Sequence, residues 1–108
     1  MRFEIVYTDN FERELKKLAK KYRSLKNELV SLIDSLEIDP IQGSPLGLDC
    51  YKIQVAIKSK GKGKSGGARV ITHIYITGRM VYLLSIYDKS EKENISDKEL
   101  SILISQIK

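Results

Sequence analysis

One α+β domain, in the order β-α-α-β-β-β-α with a mainly antiparallel sheet packed by helices, is the architecture that three observations predict. Apolar and polar residues alternate over Phe3–Tyr7 and again over Tyr51–Lys58. Two helical stripes follow one another between Phe11 and Leu36, and two apolar, β-branched runs occupy Ala68–Ile76 and Met80–Tyr87. At 108 residues the chain supports one hydrophobic core, so residues 1–108 are expected to form one domain. A composition that is 42% hydrophobic supplies that core and excludes a disordered chain.

In the first strand Phe3, Ile5 and Tyr7 alternate with Arg2, Glu4 and Val6, so at least one face is buried. Asp9 to Glu12 reads as a D-x-x-E helix start with an acidic oxygen for the orphan amides. Phe11, Leu15, Leu18, Ala19 and Tyr22 then share one helical face. Ser24 is the expected N-cap of a second helix, whose stripe is Leu25, Leu29, Leu32, Ile33 and Leu36 and which Asp39-Pro40 ends. The short break between the two predicts an antiparallel helical hairpin. Residues 40–49 contain both prolines of the chain and read as a surface connection. Tyr51, Ile53, Val55 and Ile57 alternate with Lys52, Gln54, Ala56 and Lys58, which places the second set on the more open face. After a basic loop, Ala68–Ile76, a Thr77-Gly78 turn and Met80–Tyr87 complete a meander. Ser96-x-x-Glu99 is a capping box for the last helix, with Ile95 and Leu100 as its hydrophobic staple and Leu103, Ile104 and Ile107 continuing the stripe.

The excess of positive charge is local. The chain has 19 Lys and Arg against 14 Asp and Glu, and five of those cations fall, with no acid, in Lys58–Arg69, KSKGKGKSGGAR; the remainder balances at 14 against 14. The glycines in this stretch let the backbone take positive φ and approach a ligand closely, while Lys58, Lys60, Lys62, Lys64 and Arg69 supply charge for phosphate. Such a loop suits RNA or DNA, and it equally suits a solvated hairpin tip whose lysines serve solubility. A second run, Arg13, Lys16, Lys17, Lys20, Lys21 and Arg23, reads as a solvated face of the first helix.

Cys50 is the only cysteine, which excludes an internal disulfide, and His73 is the only histidine, so no zinc set is recognisable and no metal or other cofactor is expected. The N-terminal segment MRFEIVYTDN has no apolar signal stretch, and no apolar run approaches the roughly 20 residues of a membrane span. A cytoplasmic protein without membrane contact is expected.

Two segments, GKGKSGGARVI and LLSIYDKSEKENIS, together with the order of elements, resemble the RelE/HigB branch of the RelE/ParE toxin superfamily. The resemblance runs from the first strand to the last helix and is most specific at Lys58–Ile71 and Tyr87–Ser96. It implies a RelE-like fold and a ribosome-dependent endoribonuclease that cleaves messenger RNA in the decoding site and inhibits translation. It also implies a cognate antitoxin, of helix-turn-helix type, that holds the toxin inactive. RNA cleavage without a metal requires activation of a ribose 2′-hydroxyl, stabilisation of charge on the phosphate and protonation of the leaving oxygen, tasks that Arg, Lys and Tyr can share. Arg69 matches the arginine that family members place at the catalytic surface, where its fork can grip two phosphate oxygens. Lys89 matches a position where members keep a basic or aromatic catalytic residue, and Tyr87 can stack on a base or donate a proton. Lys52 and Gln54 match positions where relatives carry basic residues, and Gln54 departs from that set. The implied catalytic residues are thus Arg69, Lys89 and Tyr87, and the implied RNA contacts are Lys52, Lys58, Lys60, Lys62 and Lys64.

Each of these residues has a plainer alternative. Arg69 can be a structural surface arginine, Lys89 an exposed member of the charged turn with Asp88, Glu91, Lys92 and Glu93, and Tyr87 a core or rim aromatic. His73 shares strand parity with Arg69 but stands four residues away, about 13 Å along a strand, which suits a structural histidine better than a partner on one phosphate. Cys50 has no histidine near it in sequence and reads as a small buried residue. Two other functions fit the same superfamily: a ParE-like poison of DNA gyrase and a non-catalytic RNA-binding module.

Overall fold

The computed structural model describes residues 2–61, 66–92 and 94–107. Its strands are β1 (Glu4–Tyr7), β2 (Ser44–Gly47), β3 (Cys50–Val55), β4 (Ala68–Tyr75) and β5 (Met80–Asp88); its helices are α1 (Asp9–Lys21), α2 (Leu25–Ile38) and α3 (Asp97–Ser105). The strands form one sheet in the order β1-β5-β4-β3-β2. β3, β4 and β5 make the expected antiparallel meander, and β1 joins β5 in parallel. No helix among the described residues is long and apolar enough to cross a membrane.

Both faces of the sheet are covered, each by the stripe its helices carry. Phe11 and Leu18 of α1, Tyr22, and Leu25, Leu29 and Leu36 of α2 pack against Ile53, Val55, Val70, Val81, Leu83 and Ile86. On the opposite face Leu100, Leu103, Ile104 and Ile107 pack against Cys50, Ile71, Leu84 and Tyr87. Leu84 reaches that cluster because β5 carries one extra residue, a bulge opposite the Ile71/Thr72 step of β4.

β2 differs from the surface connection expected over residues 40–49. It is a four-residue edge strand paired only with β3, and Pro45, which has no N–H to offer a second neighbour, is tolerated there for that reason. The hairpin into β3 turns at Leu48 and Asp49, with φ of 56° and 59°. Asn and Gly are the usual residues for such a turn, so composition does not announce it. Leu48 is also exposed. Leu48→Asn is therefore expected to stabilise the protein by about 1 kcal/mol, the lower end of what a left-handed conformation costs a side chain, and to raise the thermal midpoint.

The start of α1 is settled by a contact outside the helix. Thr8 caps α1 in place of Asp9: its hydroxyl accepts the Phe11 N–H at 3.3 Å and donates to the Leu83 carbonyl at 2.7 Å, joining the β1–α1 corner to β5. α1 then closes the edge of β5 beyond β1, with the Asn10 amide donating to the Leu84 carbonyl at 2.9 Å and Glu14 accepting from the Ser85 hydroxyl at 2.6 Å. Ser24 stands at the start of α2 but makes no cap bond. Its hydroxyl accepts the Ser59 N–H at 2.9 Å, and Glu28 accepts the Lys58 N–H at 2.7 Å. The beginning of α2 thus anchors the 3-10 turn Lys58–Lys60 at the root of the basic loop. The capping box of α3 is present as expected, Ser96 and Glu99 each accepting the other's backbone N–H. Ser96→Ala is expected to cost about 1 kcal/mol, read as a lower urea midpoint.

Candidate functional site

On the face where α3 packs, strand register sets side chains of β3, β4 and β5 in rows. The first row is Gln54–Arg69–Tyr87, the second Lys52–Ile71–Ser85, and the third Cys50–His73–Tyr82. Directly opposed side chains on a sheet stand about 5 Å apart, so Gln54 and Tyr87 flank Arg69, with Lys52 one row along.

Arg69, the arginine implied to be catalytic, lies beneath the surface and is not the exposed structural arginine that was its plainer alternative. It is 4% exposed, and its Nη1 donates to the Ala68 carbonyl at 3.2 Å. Tyr87 beside it is also buried, and Lys92 Nζ lies 5.3 Å from its ring centroid. Burial pushes the Tyr87 hydroxyl above the ordinary tyrosine range; the charge of Arg69 opposes that rise, and Glu99 and Glu14 add to it. The hydroxyl therefore keeps its proton at neutral pH and is a donor rather than a base. A buried ring with a cation over it is better placed for that role than for stacking on a nucleobase.

The remaining residues implied by the sequence lie around this row or beyond it. Lys52 is half-buried, and its ammonium donates to Asn94 Oδ1 at 2.9 Å. Lys89 is half-buried, and its N–H donates to the Gly67 carbonyl at 3.0 Å, fixing the end of β5 against the start of β4. Lys58 is exposed on the 3-10 turn, past the end of β3. Lys62, Lys64 and the side chain of Lys60 lie outside the described residues. Register and turn thus gather Arg69, Tyr87, Lys52 and Lys89, while Lys58 belongs to the turn held by α2. Gly67 serves the fold as well: a Cβ there would stand 2.1 Å from the Val55 carbonyl oxygen, so the glycine admits the chain's own β3 backbone.

Lys92, Glu99 and Asn94 are the site residues that sequence reasoning missed. Lys92 pairs with Glu99, whose carboxyl is held below the usual range by that lysine first and by Ser96 next. The capping box was the available signal, since it fixes where Glu99 sits at the start of α3. The third row joins residues that are 23 positions apart: Cys50 Sγ lies 3.4 Å from His73 Nδ1. Burial, with Asp49 adding, pushes the Cys50 thiol up to about 11, so the pair holds a protonated, inert thiol despite its histidine.

The family described as RelE toxin of the RelE/RelB toxin–antitoxin system matches residues 6–106. This chain belongs to the RelE toxin family. Solved RelE structures share the fold. A doubly substituted E. coli RelE in the free state is 19% identical to this RelE toxin, with a TM-score of 0.64 and all of both chains covered. The RelBE2 toxin–antitoxin complex of Mycobacterium tuberculosis contains a chain 15% identical, with a TM-score of 0.57 over 82% of this chain and 99% of that one. The intact E. coli RelBE complex contains one 23% identical, with a TM-score of 0.52 over 80% of this chain and 95% of that one.

Proposed function

We propose that this RelE toxin is a ribosome-dependent endoribonuclease that cuts messenger RNA and inhibits translation, acting in the cytoplasm. The Gln54–Arg69–Tyr87 row carries the reading, because it sets a permanent cation beside a protonated phenol on one sheet face, with Lys52 one row away and Lys89 at the strand end. In the proposed reaction the ribose 2′-oxygen attacks phosphorus and its proton passes to water. Arg69 and Lys89 stabilise the charge that gathers on the phosphate. The bond to the 5′-oxygen breaks, and the Tyr87 hydroxyl protonates the leaving oxygen. None of these steps calls on a metal. Since Arg69 is 4% exposed, its contact with phosphate requires the groups above it to part as RNA seats, so binding completes the site. Lys58, Lys60, Lys62 and Lys64 would supply positive charge to the RNA backbone.

The proposed partner is a cognate antitoxin of helix-turn-helix type. Support for an antitoxin comes from the RelBE and RelBE2 complexes, in which similar toxins are assembled with theirs. Adding the purified protein to a translation extract tests the function. Codon-spaced cuts in messenger RNA are expected. Trapped gyrase–DNA cleavage complexes would mark a gyrase poison instead, and ribosome binding without cuts would mark a non-catalytic RNA-binding module.

A further inference from the structure

The turn after β5 is built around a buried carboxylate that the proposed reaction does not use. Asp88, the last residue of β5, is 1% exposed. Tyr22, which follows α1 and is buried in the main core, donates its hydroxyl to Asp88 Oδ2 at 2.6 Å. The other oxygen, Oδ1, accepts the Ser90 N–H at 2.9 Å and the Ser90 hydroxyl at 2.8 Å. The Asp88 carbonyl accepts the N–H groups of Glu91 and Lys92, both at 3.1 Å. A carboxylate taken out of water is costly unless donors face it, and here they do so on both oxygens. The Ser90 contacts are those of an ordinary Asx turn, whereas the Tyr22 contact, 66 positions away in sequence, is one that a turn does not need for itself. What the Tyr22 contact adds is a fixed link between the end of α1 and the six residues that run from Tyr87 to Lys92.

We infer that Tyr22 and Asp88 are positioning residues of the cleavage site. Their hydrogen bond locks the turn to α1, which keeps Lys89 on the Gly67 carbonyl and Lys92 over the Tyr87 ring. The inference rests on the nuclease reading. Neither Tyr22 nor Asp88 has to touch RNA, so the lock acts on the geometry of the reacting groups and leaves ribosome affinity to the basic residues. Misplacing such groups by about 1 Å can cost as much as 100-fold in rate.

Tyr22→Phe removes the donor and keeps the ring in the core. At saturating toxin, single-turnover cleavage of ribosome-bound messenger RNA is expected to slow about tenfold or more. The ribosome concentration at half-saturation should stay at the parental value, and the Lys89 and Lys92 amides should exchange hydrogen faster. A tie that served stability alone would lower the amplitude with the folded fraction and leave the rate constant unchanged. A parental rate constant overturns the inference, as does a loss that saturating ribosomes restore. If the parent protein itself does not cut, the nuclease reading fails, and the exchange measurement still decides the tie. Parental exchange at Lys89 and Lys92 in the Phe variant would then overturn it, and faster exchange would uphold it.

Discussion

Gly67→Ala is expected to lower stability by about 3 kcal/mol, toward the upper end of what overpacking costs. The new Cβ would lie 2.1 Å from the Val55 carbonyl oxygen, 3.0 Å from the Ile57 nitrogen and 3.1 Å from the Ala56 Cα. All three are backbone atoms, so no side-chain rotation relieves the overlap, and β4 must move away from the end of β3. That movement reaches the functional site, because the Gly67 carbonyl accepts the Lys89 N–H and Arg69 is two residues on. Gly61 provides the contrast. It sits at φ +74° with nothing within 4 Å of its would-be Cβ, so Gly61→Ala should cost only the left-handed conformation, about 1 kcal/mol. Urea unfolding of the two variants makes the comparison. Equal midpoints would show that close packing of β3 does not govern the glycine at position 67.

The elements whose evidence is local were legible in the sequence. The stripes of α1 and α2, the β3–β4–β5 meander and the Ser96–Glu99 capping box each rest on a spacing of two to four residues, and the structure contains them. β2 was hidden because Leu48 and Asp49 take positive φ without the asparagine or glycine that would advertise the turn. Thr8 and Asp9 are both chemically able to cap α1, and the choice is made by the Leu83 carbonyl of a distant strand. Parity placed Lys52, Gln54 and Tyr51 on alternate faces of β3, but depth is not a property of parity. Whether Arg69 ends at the surface or beneath it depends on what packs above it. The contacts Cys50–His73 and Tyr22–Asp88, spanning 23 and 66 positions, are set by register and by helix docking. A single sequence carries no signal for either.

Arg69→Ala is expected to abolish cleavage and growth inhibition, because this residue is asked to stabilise the transition state itself. The guanidinium charge is permanent, and its planar fork matches a phosphate that gains charge as the 2′-oxygen attacks. It also opposes the rise in the Tyr87 hydroxyl's proton affinity, so its loss makes that donor a weaker acid. Both effects lower the rate, and neither requires weaker binding. Ribosome affinity of the Ala variant should stay within about tenfold of the parent, a difference of about 1.4 kcal/mol, because Lys52, Lys58 and the other basic residues remain. Arg69→Lys should recover part of the rate, since an ammonium keeps the charge and loses the two-pronged geometry. Arg69 is buried, so its replacement also disturbs packing, and the comparison has to be made on folded protein. Single-turnover cleavage of ribosome-bound messenger RNA at saturating toxin, with the folded fraction measured by circular dichroism, separates the two effects. If folded Arg69→Ala cuts at the parental rate, Arg69 is a structural cation beneath the sheet surface, and Lys89 and Tyr87 become the next candidates for the chemistry.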